Sequence, residues 1–310
     1  MDLEKKIIST LVYYNLLDRP LTELEIYKYL LGPSREVFFF DFRQVLANLV
    51  MGKNILAENG LYFLSGRSDL IKIREKRLKL AQLKWKKLGK IGRWLALVPF
   101  IRLVAVTGSL TAYNTRPGSD FDLLIVAKSG RLWLTRIFTT ALLAMLGKRR
   151  HGQLTQDRIC LNCYLSDESL EIKAEAKPRD FHSAQEYGRL TPILEIEPGL
   201  YQKFIRANNW LGDFLEFYPW SNEQTAKKIK PAKFLSISRR LAEWLLKGKI
   251  GDWLENWFGR WQTRRIRQKN ETQPSDQVYV SNQCLMFHPQ SKSYELMKRF
   301  NFKNKQLVDH

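Results

Sequence analysis

Val104-Ala105-Val106-Thr107-Gly108-Ser109, followed after ten residues by Asp120-Phe121-Asp122-Leu123-Leu124-Ile125-Val126, is the stretch on which the fold of this chain turns. The first segment is a short β-branched run that Gly108-Ser109 breaks. Leu110 to Tyr113 can make a helical turn, Asn114 to Ser119 reads as a loop, and the second apolar run reads as a strand. Side chains alternate along a strand, so Asp120 and Asp122 point to one face and Phe121 to the other. Two carboxylates sharing a face are costly unless a cation sits between them. A hard cation suits them, and magnesium is the usual one where carboxylates share coordination with phosphate oxygens. Gly108 lets the backbone approach a phosphate closely, and the Ser109 hydroxyl with the amides of a starting helix can hold its oxygens.

Toward the N terminus, residues 67 to 93 form a helical, very basic stretch with a predicted inner stripe of Leu70, Ile73, Arg77, Leu80, Leu83 and Leu88. Before it, residues 1 to 66 read as a small independent unit. Ile7, Ile8, Leu11, Val12 and Leu16 recur at helical spacing, and Thr22-Glu23-Leu24-Glu25 is a capping box opening a second helix. A third helix runs from about Asp41 to Met51, and Ile55 to Ala57 and Leu61 to Leu64 flank a turn carrying Asn59-Gly60. This order resembles a winged helix-turn-helix, whose third helix usually enters the DNA major groove. Residues 1 to 66 carry 7 basic and 8 acidic side chains, a net of −1. DNA affinity comes largely from phosphate neutralisation, so the charge favours protein contact or regulation over DNA recognition.

Toward the C terminus, Leu132 to Leu146 is an apolar helix and Arg158 to Leu165 a strand. In a regular strand Cys160 and Cys163 fall on opposite faces, which argues against a shared metal, and Asn162 shares a face with Arg158, Cys160 and Tyr164. Asp180 can cap a helix on which His182 and Glu186 face the same side, read as a surface or domain-contact pair. Leu200 to Tyr218 reads as a further helix. Residues 227 to 268 mix cations with Trp244, Trp253, Trp257 and Trp261; the last three recur every four residues, a stripe expected to be packed. Gln268 to Gln277 reads as a loose linker, and Val278 to Val280 with His288 as a terminal cap.

The 310 residues are 45% apolar, enough for several cores, and three cysteines in no regular framework fit a reducing compartment. The apolar stretches Trp94 to Val106 and Leu132 to Leu146 fall short of the ~20 residues of a membrane span, and the opening residues lack the pattern of a secretory leader, so a cytoplasmic location is expected. The net charge of +20 is concentrated: residues 67 to 103 hold 12 Lys/Arg against 2 Asp/Glu, and residues 227 to 269 hold 13 against 3, each giving +10. Polyanionic partners, such as nucleic acid, a nucleotide or an anionic membrane surface, are expected there, against the alternative of solvated helix faces.

Gly-Ser, a ten-residue gap and Asp-x-Asp leading an apolar strand resemble the polymerase-beta-like nucleotidyltransferase superfamily. The order of segments further resembles a group of bacterial nucleotidyltransferase-domain proteins that have an N-terminal winged helix. The resemblance implies an α/β (α+β) nucleotidyltransferase core with a mixed sheet, an N-terminal winged helix-turn-helix and a mainly helical C-terminal region. The expected divisions are 1-66 winged-helix-like, 67-98 basic helical connector, 99-178 core and 179-310 helical C-terminal domain.

By that resemblance Gly108 and Ser109 bind the triphosphate of a nucleoside triphosphate, and Asp120 and Asp122 ligate Mg2+ in a two-metal site; Arg116 or Lys128 could add charge neutralisation. Members of the superfamily add a third carboxylate from a later strand. Asn162 stands at the matching position, and an amide cannot act as general base. Asp157 and Asp167, at the two ends of that strand, are the fallback acids. The expected function is magnesium-dependent transfer of a nucleoside monophosphate to an acceptor hydroxyl. Its alternatives are an impaired nucleotide-binding or regulatory protein and, last, a winged-helix DNA-binding regulator.

Overall fold

A computed structural model of the chain describes residues 2–33, 37–219, 228–272, 278–287 and 293–308. Helix α1 (Leu3–Leu16) opens on Asp2, whose side chain accepts from the Leu3 N–H at 2.7 Å. Strand β1 (Leu21–Thr22) leads into α2 (Glu23–Lys28) through the expected capping box: Thr22 Oγ1 accepts from the Glu25 N–H and Glu25 accepts from the Thr22 N–H at 2.9 Å. Helix α3 (Phe39–Met51) and the hairpin of β2 (Ile55–Glu58) and β3 (Leu61–Leu64) follow. Asn59 and Gly60 at its tip both have positive φ, as a two-residue turn of this hand requires. β1 pairs with β3, so the sheet has three strands rather than the two read from sequence.

Helix α4 (Asp69–Leu95) keeps part of the expected stripe: Leu70 and Leu88 are buried, whereas Leu83 is exposed and Lys84 is buried in its place. The cause is electrostatic. Lys84 Nζ donates to the Ser119 carbonyl at 2.7 Å and to Asp157 at 2.8 Å, Lys87 also pairs with Asp157, and Arg77 donates to the Leu17 carbonyl at 3.0 Å and to Asn114 at 2.9 Å. The basic helix thus clamps loops of its own chain, and Arg67, Arg74, Arg77, Lys84, Lys87 and Arg102 all stand in ion pairs.

The remaining elements are β4 (Ile101–Val106), α5 (Gly108–Thr111), β5 (Phe121–Ala127), α6 (Leu132–Met145), β6 (Ile159–Ser166), α7 (Phe181–Gly188), β7 (Thr191–Glu195), α8 (Leu200–Ala207), a 3-10 turn at Asn209–Asp213, α9 (Lys233–Leu245), α10 (Lys249–Thr272), β8 (Val278–Val280), β9 (Cys284–Phe287) and α11 (Ser293–Val308). They build a mixed six-stranded sheet in the order β7-β4-β5-β6-β9-β8, in which β5 and β6 are parallel and every other neighbouring pair is antiparallel. The parallel pair needs a crossover, which α6 supplies. That helix has no side-chain cap of its own; Glu255 of α10 accepts from the Trp133 and Leu134 N–H groups at 2.8 and 2.9 Å instead.

Val104, Val106, Leu123 and Ile125 face a core shared with α4 and α6. Leu103, Ala105, Leu124 and Val126 belong to a second core that also contains Ile7, Leu11, Phe42, Ile55 and Phe300. Residues 1 to 66 are therefore not an independent unit. The reason lies in α1, which is buried on more than one side and cannot be covered by α2 and α3 alone: Lys6 forms a buried ion pair with Glu216, and the Tyr13 ring lies 5.9 Å from that of Phe300. The Gly32 N–H donates to the Phe214 carbonyl at 3.0 Å. Among the described residues no helix is long and apolar enough to cross a membrane.

Candidate functional site

Gly108 and the two aspartates meet where the sequence places them, at one end of the central strands. Gly108 has φ +73°, and a Cβ there would lie 2.7 Å from Asp122 Oδ2, so both the backbone and the space demand glycine. The Thr107 N–H donates to the Asp122 carbonyl at 3.0 Å, which fixes the turn against β5, and the Ser109 carbonyl accepts from the Asn114 N–H at 2.9 Å. Asp120, Asp122 and Cys160 each offer a ligand atom, all within 4.8 Å of one another.

Cys160 reaches this cluster because it pairs with Asp122, and β6 becomes irregular just beyond it. Pairing steps from Asp122 opposite Cys160 to Leu124 opposite Cys163, so β6 spends one residue more than β5 over that interval. Paired residues in parallel strands share a face. Cys160 and Cys163 consequently lie on the same side as Asp122, correcting the opposite-face expectation, while Tyr164 turns to the other core, away from Asn162. The Asn162 amide donates to Asp122 Oδ1 at 3.4 Å. Asn162 thus borders Asp122 with an amide.

Burial, Asp120 and Glu186 together push the Asp122 carboxyl up to about 7, against the pull of Arg150 and Lys177. Burial beside the same two aspartates lifts the Cys160 thiol to about 12, so it is a neutral S–H at neutral pH and a poor ligand for a hard cation. Asp120 is held by Arg150 Nη1 at 2.6 Å, and that guanidinium also reaches Cys160 Sγ at 3.5 Å. The two carboxylates are donors of the kind magnesium takes, while Asn162 turns its amide nitrogen toward them.

The other expected residues divide sharply. Arg116 lines the same cleft as Ser109, though it is exposed and paired with Asp18 at 3.3 Å. Lys128 follows the far end of β5, roughly 20 Å of strand away from Asp122, and cannot neutralise charge there. Asp157 is occupied by Lys84 and Lys87, and Asp167 accepts from the Ser129 N–H at 2.8 Å at the far end of β6. Neither serves as a third acid.

Sequence reading missed the walls. The site opens into a cleft of about 1460 Å³, whose lining includes Arg19, Arg149, Arg150, Arg189 and Arg299 along with Asp122. Its inner wall joins α1 to α7. His182 Nδ1 shares a hydrogen bond with Tyr13 OH at 2.7 Å, Tyr14 OH donates to Gln185 at 2.6 Å, and Arg189 lies 3.6 Å from the Tyr29 ring centroid. The domain-contact expectation for His182 therefore holds. Its neighbour Glu186 lines the cleft, paired with Lys177 at 2.9 Å. The run Lys148-Arg149-Arg150-His151 carried the available signal for the basic wall. No family model, curated protein or solved structure matches this chain.

Proposed function

We propose that the chain is a nucleotide-binding protein of the nucleotidyltransferase type, with Asp120 and Asp122 as magnesium ligands and Gly108 and Ser109 against the triphosphate. The observation that carries this is the juxtaposition of two neighbouring carboxylates with a left-handed glycine turn against which Asp122 packs, in the lining of an arginine-rich cleft. Carboxylates alone would repel a triphosphate, and arginines alone would bind it without activating it. Together they suit a magnesium-bound nucleotide. The strand–turn–strand around Gly108 and the three-helix, hairpin order of residues 1 to 66 support the nucleotidyltransferase core and winged helix of the sequence reading.

A bound magnesium would neutralise the charge that develops on the transferred phosphoryl group. The chain's own residues hold the reactants: the Gly108 turn lets Asp122 approach the backbone that would meet a phosphate, Arg150 can release Asp120 to swing toward phosphate, and Arg116 adds charge in the cleft lining. Deprotonating an acceptor hydroxyl requires a base, which the Asn162 amide is not. That amide favours a second reading, nucleotide binding without transfer. Glu186, which lines the same cleft as Asp122 and acts on its carboxyl, would have to leave its pair with Lys177 to supply the base if transfer occurs.

Incubation with labelled triphosphates, magnesium and a panel of RNAs, proteins and small alcohols separates the readings. Metal-dependent labelling abolished by Asp120→Ala with Asp122→Ala supports transfer; labelling that survives the double variant refutes the assignment. Calorimetric binding of magnesium-nucleotide with no labelling of any acceptor supports the second reading.

A further inference from the structure

Helices α9 and α10 are amphipathic in the inverted sense. Their polar residues face the protein: Glu243 accepts from the Phe100 N–H at 2.8 Å and pairs with Arg102 and Arg239, Glu255 caps α6, and the Gln262 amide donates to the Trp133 carbonyl at 3.3 Å. Arg239, Glu255 and Gln262 are all buried. Leu235, Phe258 and Ile266 pack into the core, but the larger set of apolar residues faces outward. On α9 these are Phe234, Ile237, Leu241, Trp244 and Leu245; on α10 they are Ile250, Trp253, Trp257 and Trp261, and all nine are between 45% and 70% exposed. The tryptophan stripe expected to be packed is a surface, because the hydrogen bonds of Glu255 and Gln262 turn the other face of α10 inward.

Two consecutive helices exposing large apolar side chains have no reason to do so in water. The occupant is indicated by what surrounds them. Lys233 and Arg240 on α9, Lys247 between the helices, and Lys249, Arg260 and Arg264 on α10 are exposed, while of the acids of these helices before residue 269 Glu243 and Glu255 are turned inward and Asp252 is paired with Arg131 at 2.6 Å. A second copy of a chain with net charge +20 would oppose like charges across the contact. A purely stacking partner such as single-stranded nucleic acid needs aromatic faces, not Ile237, Leu241, Leu245 and Ile250 beside them. Tryptophan and aliphatic side chains rimmed by Lys and Arg fit the headgroup–acyl boundary of an anionic bilayer.

We infer that α9 and α10 form a peripheral membrane-binding face that lays Trp244, Trp253, Trp257 and Trp261 into the interface of an anionic lipid surface. It lies on helices distinct from the strands that carry Asp120 and Asp122, and does not depend on the nucleotide reading.

The test is co-sedimentation of the full chain with vesicles of phosphatidylcholine alone and of phosphatidylcholine mixed with phosphatidylglycerol, with tryptophan emission recorded in parallel. Binding to the mixed vesicles with a blue shift is expected, at least about tenfold stronger than to neutral ones and weakened by salt. Trp253→Ser, Trp257→Ser and Trp261→Ser together should cut that partitioning at least about tenfold while circular dichroism and Tm stay at wild-type values. If this variant misfolds, Ile237→Ser with Leu241→Ser on α9 provides the independent trial. Equal partitioning of wild type to both vesicle types, or wild-type retention by both folded variants, overturns the inference. So does concentration-dependent dimerisation without lipid that the serine variants abolish, or saturable quenching by single-stranded RNA in place of vesicle binding.

Discussion

Raising the pH from about 4 to about 8 in a chelating buffer should weaken the folded protein through Asp122. Its carboxyl is pushed up to about 7 by burial, Asp120 and Glu186, whereas in the unfolded chain it has its ordinary value of 3.8. Between those values the unfolded state has lost its proton and the folded state keeps it. The folded state then binds more protons, so stability falls as pH rises through this window and levels off above about 7. A carboxyl held about three pH units high corresponds to at most about 4 kcal/mol. Asp122 lines an open cleft in which solvent screens part of this, so a loss of about 2 kcal/mol is expected. Asp122→Asn removes the ionisation and preserves the shape. Urea denaturation of both proteins across this range should show curves that diverge with rising pH, the variant being the more stable at pH 8. Millimolar magnesium should narrow that gap by stabilising wild type alone. Parallel curves would refute the electrostatic account of Asp122, and equal stabilisation of both proteins by magnesium would refute its role as a ligand.

Other expectations concern the frame around the site. Lys6→Met should cost about 3–5 kcal/mol, because it leaves Glu216 charged and buried, and Lys6→Met with Glu216→Leu should recover most of the loss in a denaturation cycle. Gly108→Ala should cost at least about 1–2 kcal/mol for its left-handed backbone, and more for the approach to Asp122; nucleotide binding measured by calorimetry should fall with it. Glu255→Ala strips the cap from α6 and should cost about 1–3 kcal/mol by thermal unfolding, with Glu255→Gln recovering part of that.

The local signals were legible in the sequence where chemistry is local. The Thr22 capping box, the Asn59-Gly60 turn and the strand–turn–strand around Gly108 lie where their residues place them, since each is decided by near neighbours. What sequence concealed was non-local. β7 carries Pro192, which disguises a strand, and β9 spans four residues. The extra residue in β6 leaves no mark in composition, yet it moves Cys163 to the other face and separates Tyr164 from Asn162. Periodicity found the tryptophan stripe of α10 but not its direction, because the inward face is chosen by Glu255 and Gln262 meeting amides and carbonyls more than a hundred residues away. Lys84 illustrates the same limit, an inward lysine answered by Asp157.

The packing of α1 against α11 bears on how the chain is made. Tyr13 and Phe181 both close on Phe300, and the core begun by α1 is completed only by that last described helix. During synthesis Tyr13 emerges long before Phe300, so the hairpin and α2 can form early while the Tyr13 side of α1 waits for α11. Such packing ties the aromatic side of α1 to a contact of very long sequence separation. The cleft wall that Tyr13 shares with His182 reaches its final packing only once synthesis has delivered Phe300.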